Sequence, residues 1–142
     1  FGTMQHVGPL GAGHAIKALN NYVSAAGLLA SMQALATAET FGIIAEKFTS
    51  VINGSTGRNN TTEVKMMPFI ASRQYDSGFF LRLMAKDVDI ASELMTNAGF
   101  GSPITPALNS YLAAALEKLG YDADHTELYE MVHPTPKGYQ NK

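Results

Sequence analysis

The sequence predicts an all-α fold built around one long central helix. Strong helix formers dominate the chain, glycine and proline interrupt it between segments, and strand-like stretches are nearly absent after residue 8. A chain of 142 residues is long enough to fold as one domain with a substantial core. Because no strands alternate with the helices, we expect no dinucleotide-binding fold within the chain itself.

The longest helix is expected over about residues 14–40, which are rich in Ala, Leu, Met and Gln. Small residues crowd this segment, so we expect other helices to approach it closely and to bury it on several sides. Gly99 and Gly120 mark the expected ends of two later helices, and Pro68 limits the regularity of another. The five shorter helices are expected at about residues 43–52, 63–73, 80–98, 105–119 and 126–132.

Composition restricts the possible functions. The net charge is −2 and the pI about 6.1, so the chain lacks the basic surface that nucleic-acid binding needs. Charged residues make up only 15% of the chain, which predicts apolar surface covered by a partner or another subunit. No apolar run is long enough for a membrane helix, there are no cysteines, and no secretory signal is visible. We therefore expect a cytoplasmic protein.

Three glycines near the N-terminus raise the question of a nucleotide-binding loop. Gly8, Gly11 and Gly13 form the order GxxGxG, whereas the dinucleotide fingerprint is GxGxxG between a strand and a helix. The phosphate-binding GxxxxGK[ST] pattern is also absent. The simpler interpretation is a hinge at which the chain turns into the long helix.

Lys17 and Asn21 are four residues apart and share one face of that helix, which Ser24 continues. Lys17 lies about one turn inside the helix, where the positive end of the helix dipole disfavours a cation. Partial burial would also favour the neutral amine, the form that accepts a proton from a substrate. Asn21 can both donate and accept a hydrogen bond. From spacing alone, an ordinary solvated lysine and surface amide remain the simpler alternative.

A second polar group lies in the helix expected over residues 80–98. Lys86 and Asp87 are adjacent in a mainly apolar segment, whereas Arg82, Asp89 and Glu93 fit an exposed charged face. The four histidines show no metal-ligand spacing, so no metal site is expected.

Taken together, these segments resemble the C-terminal helical domain of the β-hydroxyacid dehydrogenases, a family that includes 3-hydroxyisobutyrate and 6-phosphogluconate dehydrogenases. The resemblance covers about residues 5–120. Three motifs in the family's order are more specific than any one of them. They are Gly8-Pro9-Leu10-Gly11-Ala12-Gly13 with Lys17, Asn20 and Asn21; Asn53-Gly54-Ser55-Thr56-Gly57-Arg58; and Gly78-Phe79 with Leu83-Met84-Ala85-Lys86-Asp87.

The resemblance implies a helical domain like that of 6-phosphogluconate dehydrogenase and an N-terminal Rossmann domain that binds NAD or NADP. That domain is missing from this sequence, which opens on Phe1, so we expect a fragment. Residues 1–8 would be its end or the hinge, residues 9–133 the substrate and dimerisation domain, and residues 134–142 a polar tail. The substrate would be a small 3-hydroxy acid, and the helical domain would build a homo-oligomer.

The resemblance also assigns roles to residues. Lys17 would be the catalytic acid/base, and Asn21 would position the substrate. Phe79 would line the substrate pocket, and Lys86 would lie at the cofactor edge with Asp87 beside the substrate. Family members that act on 3-hydroxyisobutyrate often have Trp where this chain has Asn60. A polar Asn60 would suit a smaller or more hydroxylated acid.

Two other functions remain open at this point. The chain could be a non-catalytic oligomerisation module that keeps the helical fold, or a structural helical bundle with a ligand groove. Lys17 discriminates between them and the dehydrogenase, because such a module has no use for a lysine at an unfavourable helix end.

Overall fold

The structure is a computed structural model that describes residues 6–138, so most of residues 1–8, expected as the end of a Rossmann domain or the hinge, lie outside the described residues. The part that is described contains no strand, only an isolated antiparallel bridge between Phe80 and Asp124. The all-α prediction is confirmed. The elements are α1 (Ala12–Thr40), α2 (Ala45–Asn53), a π-helix (Thr61–Ala71), α3 (Leu81–Asn97), α4 (Ile104–Leu119), a 3-10 helix (His125–Leu128) and α5 (Tyr129–Val132).

The long helix α1 begins two residues earlier than expected and ends where expected. Gly11 stands at its N-cap with φ 91, a left-handed conformation that favours glycine. The backbone N–H of Ala15 donates to the carbonyl of Gly11, so the helical bonding starts at this glycine. The glycine run therefore turns the chain into α1, and its role as a hinge between domains stays a prediction.

Helix α1 buries one face, and the expectation that it would be buried on several sides is wrong for this chain. Its buried apolar residues recur at helical spacing along one stripe: Ala18, Ala25, Leu28, Met32 and Leu35. Ile16 and Val23, on other faces, are exposed. Small residues alone did not indicate which faces of the helix are covered.

The core lies between α1 and the helices that pack on its buried stripe. Helix α3 makes the largest contact with α1 and also packs against α4, while the π-helix contacts both α1 and α2. Buried side chains fill the space between these elements, and the largest include Leu28, Met32, Leu35, Met66, Ile70, Leu81, Met84, Leu112, Leu128 and Tyr129. None of the helices within residues 6–138 is both long and apolar enough to cross a membrane.

The third helix differs from the expected element in its hydrogen-bond pattern. The sequence predicts a helix at residues 63–73, whereas the structure has a π-helix over Thr61–Ala71 with Pro68 inside it. A π-helix bonds residue i to i+5, so residues four to five apart share a face. Proline lacks the N–H that a regular α-helix would use at this position. The i to i+5 spacing of the π-helix therefore determines which of its side chains face α1.

The C-terminal segment is fastened to the loop after the π-helix by a polar network. Arg73 and Tyr75 both have positive φ and both donate to Glu130 Oε1 over 2.6 Å. Arg73 also donates to the hydroxyl of Thr135 over 2.8 Å, and the Thr135 N–H donates to Glu130. Thr135, at the start of the expected polar tail, is therefore held against the domain.

This network makes the domain sensitive to acid. Burial raises the pKa of Glu130, but hydrogen bonds from Thr135, Tyr75 and Arg73 outweigh it and lower the pKa to about 2 from 4.5. The stabilisation is complete above the unfolded-state pKa and is lost as pH falls from about 4.5 towards 2. We expect Glu130 to contribute on the order of 1–3 kcal/mol to this loss, measured by urea unfolding at pH values across that window.

The control for this prediction is Glu130→Gln, which has no charge to lose. Its unfolding free energy should be lower than that of the unsubstituted chain near neutral pH and should vary less between pH 5 and pH 2. Parallel pH profiles for the two proteins would contradict the assignment.

Candidate active site

An open cleft of about 530 Å³ lies where α1, the π-helix, the segment before α3 and the 3-10 helix meet. Its wall mixes amide, hydroxyl, ammonium and imidazole groups with aromatic and aliphatic side chains. The lining residues are Asn20, Asn21, Ser24, Asn60, Val64, Lys65, Phe69, Ser77, Phe79, Met84 and His125. This combination of apolar surface and a few convergent polar groups is typical of small-molecule sites.

Lys17, Asn21 and Asp87 meet at one carboxylate oxygen beside this cleft. Asn21 Nδ2 donates to Asp87 Oδ2 over 2.6 Å, and Lys17 Nζ lies 3.6 Å from the same oxygen. The Asp87 side chain is 7% exposed and comes from α3, whereas the other two residues come from successive turns of α1. Asn21 and Asp87 are 66 positions apart in the sequence, and the close packing of α1 on α3 brings them together. Lys17 lies one turn before Asn21 on α1 and reaches the same carboxylate.

The side chain of Lys17 is 67% exposed, so the expected partial burial is not present in this chain. Its ammonium group is therefore accessible from solvent. Asp87 holds the lysine beside Asn21, and Asn21 itself lines the cleft. The three residues can therefore offer a proton acceptor or donor and an amide hydrogen bond to one oxygen-bearing ligand.

Asn60 and Phe79 line the same cleft, as expected for substrate-contacting residues. Asn60 precedes the π-helix, whose start is fixed by Asn59: its Oδ1 accepts from the Thr61 N–H over 2.9 Å, and its Nδ2 donates to Ser31 of α1 over 3.1 Å. Phe79 packs edge-on against the ring of His125 with ring centres 5.4 Å apart. These contacts position both residues on the cleft wall.

Lys86 is exposed on α3 and does not contribute to the cleft wall formed by the described residues. Its neighbour Asp87 points the other way, into contact with Asn21. The assignment of Lys86 to cofactor binding stays a prediction.

Asp124 organises the part of the wall that precedes α3. Its carboxylate accepts hydrogen bonds from the Ser77 hydroxyl and from the N–H groups of Gly78, Phe79 and Thr126, as well as the Thr126 hydroxyl. Burial raises the pKa of Asp124, but the hydrogen bonds from Thr126, Ser77 and Gly78 outweigh it and leave the pKa below its ordinary value. Asp124 therefore remains ionised and fixes the position of Phe79.

His125 is 2% exposed and lies behind Phe79. Its Nδ1 is 3.1 Å from the carbonyl oxygen of Phe79 and 3.1 Å from the hydroxyl of Ser77. Burial, with a smaller effect from Lys65, lowers its pKa, so the ring is neutral near neutral pH. Its Nδ1–H is best placed to donate to the Phe79 carbonyl, which supports the wall from behind.

Sequence reasoning did not single out four of the wall residues or their supports: Lys65, Ser77, Asp124 and His125. Ser77 and Asp124 are 47 residues apart, and no local spacing connects them. No group of three or more His, Asp or Glu side chains suited to a metal ion occurs within residues 6–138.

Comparison with known proteins identifies relatives of this domain. Residues 11–132 match the family model described as the NAD-binding domain of NADP-dependent 3-hydroxyisobutyrate dehydrogenase. A protein of Arabidopsis thaliana named as a probable mitochondrial 3-hydroxyisobutyrate dehydrogenase is 35% identical over 108 residues, covering 72% of this chain and 31% of the relative. A 2-(hydroxymethyl)glutarate dehydrogenase of Eubacterium barkeri is 33% identical over 100 residues, 70% of this chain and 33% of the relative.

A solved structure shares the fold. The 3-hydroxyisobutyrate dehydrogenase of Mycobacterium tuberculosis, solved with L-serine, superposes with a TM-score of 0.79 and 27% identity over 91% of this chain and 46% of that chain. The chain thus spans a third to a half of the length of the proteins it matches. The family match extends past residue 120, where the sequence resemblance ended, to include α5. The chain belongs to the β-hydroxyacid dehydrogenase family.

Proposed function

We propose that this chain is the C-terminal helical domain of a longer dehydrogenase that uses NAD or NADP to oxidise a short 3-hydroxy acid to its semialdehyde, or to catalyse the reverse reaction. The observation that carries the proposal is the meeting of Lys17 and Asn21 at Asp87 Oδ2 on the edge of a polar cleft. The relatives' names support the reaction class, since they are dehydrogenases of hydroxy acids.

The geometry suits transfer of a proton at a substrate hydroxyl. Lys17 accepts the proton of the substrate hydroxyl while the carbon that bears this hydroxyl becomes a carbonyl carbon. Asn21 donates a hydrogen bond to the hydroxyl oxygen. The chemistry that a bound nicotinamide would supply here is acceptance of the hydride from this carbon. Phe79 provides an apolar wall for the carbon skeleton, and Asn60 provides a polar one. Asp87 would hold Lys17 and Asn21 in register, and Lys86 would contact the cofactor from the exposed face of α3.

The rest of the site would come from an N-terminal Rossmann domain, of which residues 1–8 would be the end or the hinge. Two observations support this: the described residues contain no sheet, and the relatives are two to three times as long as this chain. Exposed apolar residues on α1, including Ile16 and Val23, support a second contact between helical domains of neighbouring subunits. The enzyme would then be a homo-oligomer.

A non-catalytic oligomerisation module is the alternative from a different class. The same exposed apolar residues would suit it. It does not explain why a carboxylate that is only 7% exposed should hold an exposed lysine and an amide at the edge of a cleft, because a buried carboxylate costs folding free energy unless it is well paired.

The purified 142-residue chain is expected to show no turnover by itself, because half of the site and the main cofactor domain would be absent. The measurement is nicotinamide absorbance with NAD or NADP and a set of short 3-hydroxy acids. The full-length enzyme, assayed with the same acids, is the positive control. Turnover by the isolated chain would contradict the proposed division of the site, and no turnover by the full-length enzyme would contradict the reaction itself.

A further inference from the structure

Lys65 is a half-buried cation in the cleft wall that has no direct partner. It comes from the π-helix and lines the cleft, yet it makes no hydrogen bond or ion pair with any side chain of residues 6–138. The one carboxylate whose charge acts on it is that of Asp124. The oxygens of Asp124 already accept from Ser77 and Thr126 and from backbone N–H groups, so Asp124 does not neutralise the lysine by contact.

This position is unfavourable for a lysine without a ligand. Burial lowers the pKa of Lys65, and the smaller opposing effect of Asp124 does not restore it. A lysine with no local role usually extends its ammonium group into water, because its flexible stem allows it. An ammonium group that is kept partly out of water in a cleft can regain the lost solvation from an anionic ligand.

The π-helix explains why Lys65 faces the cleft. Asn60, Val64, Lys65 and Phe69 all line it, and their spacing of four to five residues matches the i to i+5 register of a π-helix. Asn21 comes from α1, on another wall of the same cleft, and Lys17 lies one turn before it. A ligand whose hydroxyl is held at Asn21 can therefore direct another part of itself towards Lys65.

The cleft has room for such a ligand. A cleft of about 530 Å³ lies within the range of sites that bind drug-sized molecules, and a four-carbon hydroxy acid fills only part of it. The cleft wall also carries the hydrogen-bonding side chains of Asn60 and Ser77, which can share a charged ligand group with Lys65, whereas Val64 and Phe69 can contact its carbon chain.

We propose that Lys65 binds a second anionic group of the substrate. The enzyme would then prefer a 3-hydroxy acid with two carboxylates over a 3-hydroxy acid with a single carboxylate. The inference rests on the proposed function and names the substrate class of that site. A phosphate of the nicotinamide cofactor is also an anion that would pair with Lys65. The two ligands are distinguished by kinetics: a substrate carboxylate makes the KM of the acid depend on Lys65, whereas a cofactor phosphate makes the KM of NAD or NADP depend on it.

The experiment compares two acids on the full-length enzyme. Hydroxymethylsuccinate carries two carboxylates, and 3-hydroxyisobutyrate has a methyl group where the first has its carboxymethyl group. We expect kcat/KM to be at least about tenfold higher for hydroxymethylsuccinate, since a charged hydrogen bond in a cleft is worth about this much or more. Lys65→Met should lower that value about 10- to 100-fold, mainly through KM, and should change kcat/KM for 3-hydroxyisobutyrate less than about threefold.

Two variants complete the test. Lys65→Arg keeps the charge and should retain the preference for the dicarboxylate. Lys65→Gln should lose this preference as Lys65→Met does, and it replaces Lys65→Met in the test if the methionine variant is unstable. Lys47→Met, on the exposed surface of α2, is the matched control and should behave as the unsubstituted enzyme. Thermal unfolding of each variant identifies any loss that comes from the fold.

Three outcomes would overturn the assignment of Lys65. They are a preference for 3-hydroxyisobutyrate in the unsubstituted enzyme, an equal loss for both acids in Lys65→Met, and a rise in the KM of NAD or NADP without a change in that of hydroxymethylsuccinate. The last of these would indicate a cofactor phosphate. In each case the enzyme still oxidises a 3-hydroxy acid, so the proposed function stands. Failure to oxidise either acid in the unsubstituted enzyme would contradict the function and the inference together.

Discussion

Replacing Lys17 with alanine in the full-length enzyme is expected to lower kcat about a hundred- to ten-thousand-fold, the usual contribution of a positioned acid or base. The lysine would accept the substrate's hydroxyl proton as hydride leaves the adjacent carbon, and within the described residues no other lysine forms an ion pair with Asp87. Because the Lys17 side chain is 67% exposed, its removal should leave the fold intact. The measurement is steady-state kcat with a 3-hydroxy acid, together with thermal unfolding.

Two controls separate proton transfer from charge and from general surface effects. Lys17→Arg keeps a cation that does not deprotonate in proteins, so it should be nearly as impaired as Lys17→Ala. Lys118→Ala, which removes an exposed lysine from α4, should leave kcat unchanged. Full activity of Lys17→Ala would eliminate Lys17 as the acid/base, and full activity of Lys17→Arg would indicate a purely electrostatic role.

Replacing Asp124 with alanine is expected to lower the free energy of unfolding by about 3–5 kcal/mol. This carboxylate satisfies the N–H groups of Gly78, Phe79 and Thr126 and the hydroxyls of Ser77 and Thr126. Alanine would leave these donors without their partner and would free the segment that carries Phe79 into the cleft. Urea unfolding of the 142-residue chain, followed by circular dichroism, measures the change.

Asp122 offers a matched control two residues away. Its side chain is 81% exposed and pairs with Arg82, which makes Asp122→Ala the same chemical change at a surface ion pair. We expect a cost below about 1 kcal/mol for this variant. Equal costs for the two variants would show that the hydrogen bonds to Asp124 add little to stability. Asp124→Asn, which keeps the shape but reduces the acceptor capacity, should fall between them.

Local sequence patterns predicted most of the helical architecture. Five α-helical segments were placed within a few residues of their observed bounds, and Gly99 has the left-handed backbone expected just after the end of α3. The reason is that helix formers and terminating glycines act within one or two turns of the chain. The element containing Pro68 is a partial exception, because the sequence indicated irregularity there but not the π register.

For the candidate site residues, too, the sequence predicted some and missed others. The motif resemblance selected Lys17, Asn21, Asn60, Phe79 and Asp87, and the structure brings these residues to one cleft or its edge. It could not select Lys65, which lies in none of the three motifs. Burial of Lys17 was also expected and is absent, because the exposure of a side chain depends on what packs over it and not on its position in a helix.

The sequence by itself determined the helices, their ends and the family, because propensity, capping and motif order are properties of neighbouring residues. The tertiary structure decided which face of α1 is buried, how the π-helix turns Lys65 into the cleft, and how Asp124 and His125 support Phe79. These features depend on contacts between residues that are tens of positions apart. These contacts form because side chains must pack closely and because buried polar groups must be hydrogen-bonded. The local spacing of residues along the sequence does not show which distant residues will meet these requirements.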